Sequence, residues 1–215
     1  MKNKAFLLFD LDGTVSDSAP GIMDSIEYSL NKMGLTPPSR EFLARFVGPP
    51  LRYSYTHYIG LSEQDAEKAI ALYREHYAEK GIYNISLFPG VREFLAEAKQ
   101  KGKTIMLATS KPEIFAKKVL DILEVSTYFG YVSAASFTPD LDSKPKIIAR
   151  AIAMAGADKN DCVMIGDRVY DIEGARENGI ECIGVVNGSA FKNELINNKA
   201  FAVLNDFYEL AKYLL

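Results

Sequence analysis

The chain has 215 residues, 48% of them hydrophobic and 25% charged, with 12 Phe, 12 Tyr and no Trp. That length supports one or two domains with a core of their own, and the composition excludes long disorder and collagen-like structure. The formal net charge of -3 argues against a dominant role on nucleic acid, although a local basic pocket is compatible with it.

Cys162 and Cys182 sit in apolar, strand-like runs, and their spacing matches no zinc or redox motif, so they read as buried thiols. The apolar run at residues 5–9 is too short for a signal-peptide core, and no segment approaches the roughly 18 apolar residues of a membrane helix. The expectation is a cytoplasmic protein that binds neither membrane nor nucleic-acid polymer; the sequence leaves the oligomeric state open.

In chain order, the run at 5–9 reads as a buried strand. Residues 17 to about 85 then carry helical rather than strand periodicity. Ile22, Ile26, Leu30 and Met33 recur every three or four positions, and Gly34 ends that run. Ser62 with Asp65 marks an N-cap followed by an acid in the first turn, opening a helix to about Lys80. Its apolar stripe is Ala66, Ala69, Ile70, Tyr73 and Tyr77. Gly48-Pro49-Pro50 breaks the segment with a stiff loop.

From Val91 onward, helical windows at 91–101, 112–123, 146–155, 171–178 and 205–214 alternate with apolar runs at 104–108, 131–134, 162–165, 182–186 and 201–203. Gly102, Gly156 and Gly179 follow helical runs as C-terminal caps do. This pattern predicts an α/β fold: a doubly wound, Rossmann-like parallel sheet from residues 1–16 and 86–215. An all-helical domain at 17–85 is inserted after the first strand. Open sheets of this kind bind ligands at the carboxyl ends of their strands, so an insertion there could form a lid.

Four segments place polar residues where strands end. Asp10-Leu11-Asp12-Gly13-Thr14 follows the first strand, and its two carboxylates project to the same side of an extended chain. An ordinary Asp-Gly turn is one reading. The other is a metal or reaction site, because Asp10 stands where the apolar strand should continue and burying an unpaired carboxylate is costly. Asp167 ends a second strand; Asp171 is either a helix-start acid favoured by the dipole or a third ligand. Three strand-end carboxylates form an all-oxygen set that suits Mg²⁺. Thr109 and Ser110 end a third strand, either as a plain helix cap or as a phosphate cradle. Lys144, before a helix starting near Ile147, is either solvated or part of the site.

Asp10-x-Asp12-Gly13-Thr14, Thr109, Lys144 and Gly166-Asp167-x-x-x-Asp171, in this order, resemble the four motifs of the haloacid dehalogenase superfamily in its phosphatase branch. The helical insertion is similar to that family's C1 cap. Within that branch the chain resembles the phosphoglycolate phosphatase group, and Val47-Gly48-Pro49-Pro50-Leu51 in particular resembles relatives described as 5′-nucleotidases. Many relatives have Lys-Pro-x-Pro at the third motif. Here the second proline is missing, and Lys144 stands three residues before the first apolar helical residue, as the motif lysine does in such relatives. Lys146 stands one residue before it.

The resemblance implies Mg²⁺-dependent hydrolysis of a small phosphorylated metabolite, such as phosphoglycolate or a nucleoside monophosphate. Asp10 would be the nucleophile that forms an aspartyl-phosphate, and Asp12 the general acid and base. Asp10, the backbone carbonyl of Asp12, and Asp167 would hold the metal, with Asp171 supporting them. Thr109, the Ser110 amide and Lys144 would hold phosphate. The Gly48 loop could reach the substrate, and Arg52 is either a contact for a second substrate anion or a solvated arginine. A β-phosphoglucomutase-like phosphosugar mutase shares all four motifs. A catalytically silent interaction module fits less well, because every catalytic position holds a competent residue.

Overall fold

The computed structural model describes residues 1–136, 143–187 and 192–215. The chain folds into two compact units, residues 1–16 with 87–215, and residues 17–86. Strand β1 (Phe6–Phe9) belongs to the first unit, and the chain passes between units at two short paired strands, β2 (Ser16–Asp17) and β3 (Ser86–Leu87). Between these strands lie α1 (Ala19–Lys32), α2 (Arg40–Leu43), α3 (Leu51–Tyr53) and α4 (Glu63–Glu79), with a wide π-helical turn at Ser54–Ile59. The rest alternates: α5 (Val91–Gln100), β4 (Thr104–Pro112), α6 (Glu113–Ile122), β5 (Tyr131–Ala135), α7 (Lys144–Ala155) and β6 (Cys162–Gly166). It ends with α8 (Val169–Glu177), β7 (Glu181–Val185), α9 (Lys192–Asn197), β8 (Ala202–Leu204) and α10 (Phe207–Leu214).

The large sheet has the order β5-β4-β1-β6-β7-β8, and every neighbouring pair is parallel. The chain steps outward from β1 to β4 and β5, then returns to β6 on the other side of β1 and steps outward again. The order therefore reverses between β1 and β6, and a doubly wound sheet opens a crevice at such a point. Phe9 pairs with Leu107 on one side and with Ile165 on the other. Asp10, Thr109 and Asp167 consequently stand at nearly the same level of the sheet.

Alternation along β1 feeds two cores. Phe9 stacks on Phe207 and meets Phe94 edge-on at 5.8 Å, joining β1 to α10 and α5. Leu8 faces the opposite way, into a cluster with Met106, Met164, Ile147, Ile148 and Ile172 under α7 and α8. Each such side chain contributes about 1.5–3 kcal/mol on burial. In the second unit α1 buries Ile22, Ile26 and Leu30, and α4 buries the expected stripe. Ser62 caps α4 by accepting the Asp65 amide at 3.1 Å. Gly21 and Gly81 let α1 approach the turn after α4, at Gly81–Tyr83, closely, since a Cβ on Gly21 would lie 1.9 Å from the Gly81 carbonyl oxygen.

Several boundaries differ from the periodicity. β4 runs on to Pro112, whose extended ψ of 137° makes it the cap of a helix that opens at Glu113. α7 opens at Lys144 and α8 at Val169, each two residues early. Apolar spacing marks only the face a helix buries in the core, and these first turns point polar groups elsewhere. α9 carried no signal because it is short and buries only Leu195. Among the described residues, no helix is long and apolar enough to cross a membrane.

Cys162 and Cys182 are free and buried. Burial pushes the Cys162 thiol up to about 11 and lifts Cys182 as well. Only the thiolate reacts readily. At pH 8 iodoacetamide should therefore leave both unlabelled in the folded protein and label both in denaturant, as read by intact mass. Native labelling at the denatured rate would contradict this burial.

Candidate active site

Asp10, the first residue past β1, is only 5% exposed. Lys144, the first residue of α7, donates to its Oδ1 at 2.7 Å and reaches Asp171 Oδ1 at 2.8 Å. The same ammonium donates to the Ala108 carbonyl at 3.1 Å, which ties it to β4. Lys144 is 7% exposed, whereas Lys146 faces solvent. Pro145 in the first turn costs α7 no hydrogen bond, since first-turn amides have no partner within the helix. Gly174 of α8 makes room for the Lys144 stem: a Cβ there would lie 2.9 Å from Lys144 Cγ.

Asp167 follows β6, and Thr14 donates its hydroxyl to Asp167 Oδ1 at 2.9 Å. Asp171 is the third residue of α8 and turns back, its Oδ2 accepting the amides of Asp167 at 3.2 Å and Arg168 at 3.1 Å. It is thus a helix-start acid and a member of the cluster at once. Two glycines permit these approaches. A Cβ on Gly166 would lie 2.2 Å from Asp171 Cγ, and one on Gly13, at φ +88°, would lie 2.2 Å from Asp167 Oδ2. Oxygens of Asp10, Asp167 and Asp171 all lie within 4.8 Å of one another.

Burial lifts Asp10 to about 6, against the pull of Lys144 and with the push of Asp171 and Asp12. Burial also holds Asp167 well above the carboxylate range, helped by Asp171 and Asp10 and opposed by the Thr14 hydroxyl and Arg168. Burial alone would lower Lys144, but Asp10 and Asp171 raise it. Among the described residues, three buried carboxylates thus cluster where one ammonium, Lys144, pairs with two of them. The excess of negative charge and the all-oxygen donor set fit a hard divalent cation such as Mg²⁺.

Asp12 lies outside that cluster. Both of its oxygens are held by Lys111 Nζ, at 3.0 and 2.9 Å. Lys111 is itself buried, and its amide donates to Thr109 Oγ1 at 3.2 Å. Thr109 is buried and Ser110 half-buried. Gly48, at φ +103°, and Arg52 lie in the 17–86 unit. The Arg52 side chain is 51% exposed and is bonded to Glu63 at 2.9 Å and Glu67 at 2.5 Å. A substrate anion would have to compete with these two carboxylates for it.

Sequence reasoning missed four contributors. Lys111 had a readable signal, since it stands two residues after Thr109 as Asp12 stands two after Asp10. Thr14 was read as part of the first motif, but its bond to Asp167 was not. Asn187, at φ +41°, donates to the carbonyls of Gly13 at 3.3 Å and Thr14 at 2.8 Å, fastening the loop after β1. Glu194 of α9 accepts from Arg168 Nε at 3.0 Å and from the Val169 amide at 2.8 Å, bracing the turn that carries Asp167.

The arrangement matches a family whose model, described as haloacid dehalogenase-like hydrolase, covers residues 7–185. A 5′-nucleotidase of Pseudomonas aeruginosa is 34% identical over 189 residues, 88% of this chain and 86% of that protein. The tyrosine-protein kinase PtkA of Mycobacterium tuberculosis is 36% identical over 179 residues, 83% of this chain and 61% of that protein. The crystal structure of a predicted phosphatase from Clostridium acetobutylicum superposes with a TM-score of 0.92 at 37% identity, over 97% of this chain and 96% of that one. With the sheet order, the strand-end carboxylates and the family match in agreement, the chain belongs to the haloacid dehalogenase-like hydrolases and is an enzyme of that family.

Proposed function

We propose that the protein is a Mg²⁺-dependent phosphomonoesterase that hydrolyses a small phosphorylated metabolite, of the phosphoglycolate or nucleoside monophosphate type, through an aspartyl-phosphate on Asp10. The observation that supports this reading most is the Asp10–Lys144 pair at the switch point of the sheet, beside Asp167 and Asp171. The similarity to a 5′-nucleotidase favours a nucleoside 5′-monophosphate within that class.

Asp10 attacks phosphorus, and the phosphorus–ester bond breaks as the phosphorus–carboxylate bond forms. Asp12 gives its proton to the departing alkoxide, then takes one from the water that releases phosphate. Lys144, Thr109 and the Ser110 amide hold equatorial oxygens, on which charge concentrates in the transition state. Asp10, the Asp12 carbonyl and Asp167, supported by Asp171, would hold Mg²⁺, which when bound offsets phosphate charge. Residues 17–86 set substrate preference, with Gly48 and Arg52 as candidate substrate contacts.

A panel of phosphomonoesters incubated with Mg²⁺ tests this reading. Free phosphate from phosphoglycolate or nucleoside monophosphates is the expected product. An isomerised sugar phosphate without free phosphate would instead make the enzyme a mutase. Transfer from a nucleotide to a protein tyrosine would make it a kinase, as the PtkA name states for that relative.

A further inference from the structure

Lys111 has no place in the mechanism above, yet it is buried and ion-paired in the site. Thr109 and Lys111 are two residues apart at the end of β4, so in extended chain they point to one side while Ser110 points to the other. The register with β5 shifts between Thr109 and Pro112, so the chain departs from regular pairing where Lys111 stands. Lys111 reaches across to the β1 loop and donates to both oxygens of Asp12. Among the described residues, this ammonium is the only group that holds the Asp12 side chain, whereas Asp10, Asp167 and Asp171 are fixed by other partners. Its amide also bonds the Thr109 hydroxyl, so one residue is tied to both a phosphate-contact residue and the proton-transfer residue.

We propose that Lys111 is a positioning residue that aims the Asp12 carboxylate for proton transfer to the leaving group. The inference rests on the phosphomonoesterase reading. Proton transfer demands a heavy-atom approach of about 2.6–3.2 Å, and a carboxylate free to rotate at the edge of the site loses that geometry. Charge-assisted bonds to both oxygens of the ionised carboxylate remove the freedom; when Asp12 carries the proton it donates, that proton occupies one oxygen and Lys111 keeps its bond to the other. Lys111 touches neither phosphorus nor the attacking oxygen in this role and acts only through Asp12.

The test is kcat/KM for a series of Mg²⁺-supported phosphomonoesters, from p-nitrophenyl phosphate to alkyl phosphates with poor leaving groups. It compares wild type, Lys111→Met, Lys111→Arg, Asp12→Asn and the Lys111→Met/Asp12→Asn double variant. Lys111→Met should lower kcat/KM by about 10–100-fold on the alkyl esters and by less than about threefold on the aryl ester, a part of the 10²–10⁴ that general acid catalysis supplies. Lys111→Arg should recover most of the loss. In the Asp12→Asn background Lys111→Met should add nothing, as groups acting as one unit are not additive. An equal loss on both ester classes, a change in KM alone, no loss, or an independent further loss in the Asp12→Asn background overturns the role. A wild-type protein that hydrolyses none of the esters overturns the phosphomonoesterase reading, and this role with it.

Discussion

Asp10→Asn should abolish turnover, by roughly 10⁴-fold or more, the scale on which losing a nucleophile acts. The amide keeps the shape of the side chain and has no anionic oxygen to attack with. The fold should survive. Asp10 stands at about 6 in the folded protein, above the unfolded carboxylate value of 3.8, because burial outweighs the Lys144 pair. A carboxylate raised in this way binds its proton more tightly folded than unfolded, so it begins to destabilise the fold as pH rises past the unfolded value and does so fully once pH exceeds its folded value. The metal-free variant should therefore melt no lower than wild type at pH 8. That relative advantage should shrink as pH falls from about 6 through 3.8. Kinetics and thermal melts on one preparation check both statements. Near-normal turnover would remove Asp10 as nucleophile, and a collapse in melting temperature at pH 8 would show that Asp10 is held mainly for stability.

Lys144→Ala should be the most damaging single change outside the carboxylates, and Lys146→Ala nearly silent. Among the described residues, Lys144 is the one buried ammonium that pairs with both Asp10 and Asp171. Removing it leaves buried carboxylates without their counter-charge, a change that typically costs about 3–5 kcal/mol. It also removes a cation where phosphate charge develops, worth a further 10²–10³-fold in rate by analogy with a lost oxyanion donor. Lys146 is exposed, and such substitutions usually stay within about 0.5 kcal/mol. The two variants measured side by side, by kcat and by melting temperature at pH 8, decide the point. Equal small effects, or the reverse order, would mean that the Asp10–Lys144–Asp171 cluster does not serve the reaction.

The segments that build the cluster were legible because each breaks a local rule. A carboxylate stands where an apolar strand should continue at Asp10, and Gly-Asp ends another apolar run at Asp167. Lys144 could be preferred over Lys146 by helix register. The partners were not legible in the same way. Thr14 meets Asp167 across 153 positions and Lys111 meets Asp12 across 99. Such pairings follow from which strands become neighbours in the sheet, and that order is set by the packing of whole βα units rather than by any local pattern. Glu194 escaped notice because α9 has one buried residue and hence no period to read. Asp171 shows the opposite case: the helix-start reading and the ligand reading were posed as alternatives, and in the structure one oxygen accepts helix-start amides while the other meets Lys144.

The most direct measurement concerns the covalent step itself. Protein mixed with a hydrolysable phosphomonoester and Mg²⁺ is quenched in acid within one turnover, digested, and analysed by mass. The account predicts one phosphoryl group on Asp10, removed by hydroxylamine and absent when chelator replaces Mg²⁺. Phosphate released with no adduct at any stage of a single turnover, or an adduct on a residue other than Asp10, would contradict it.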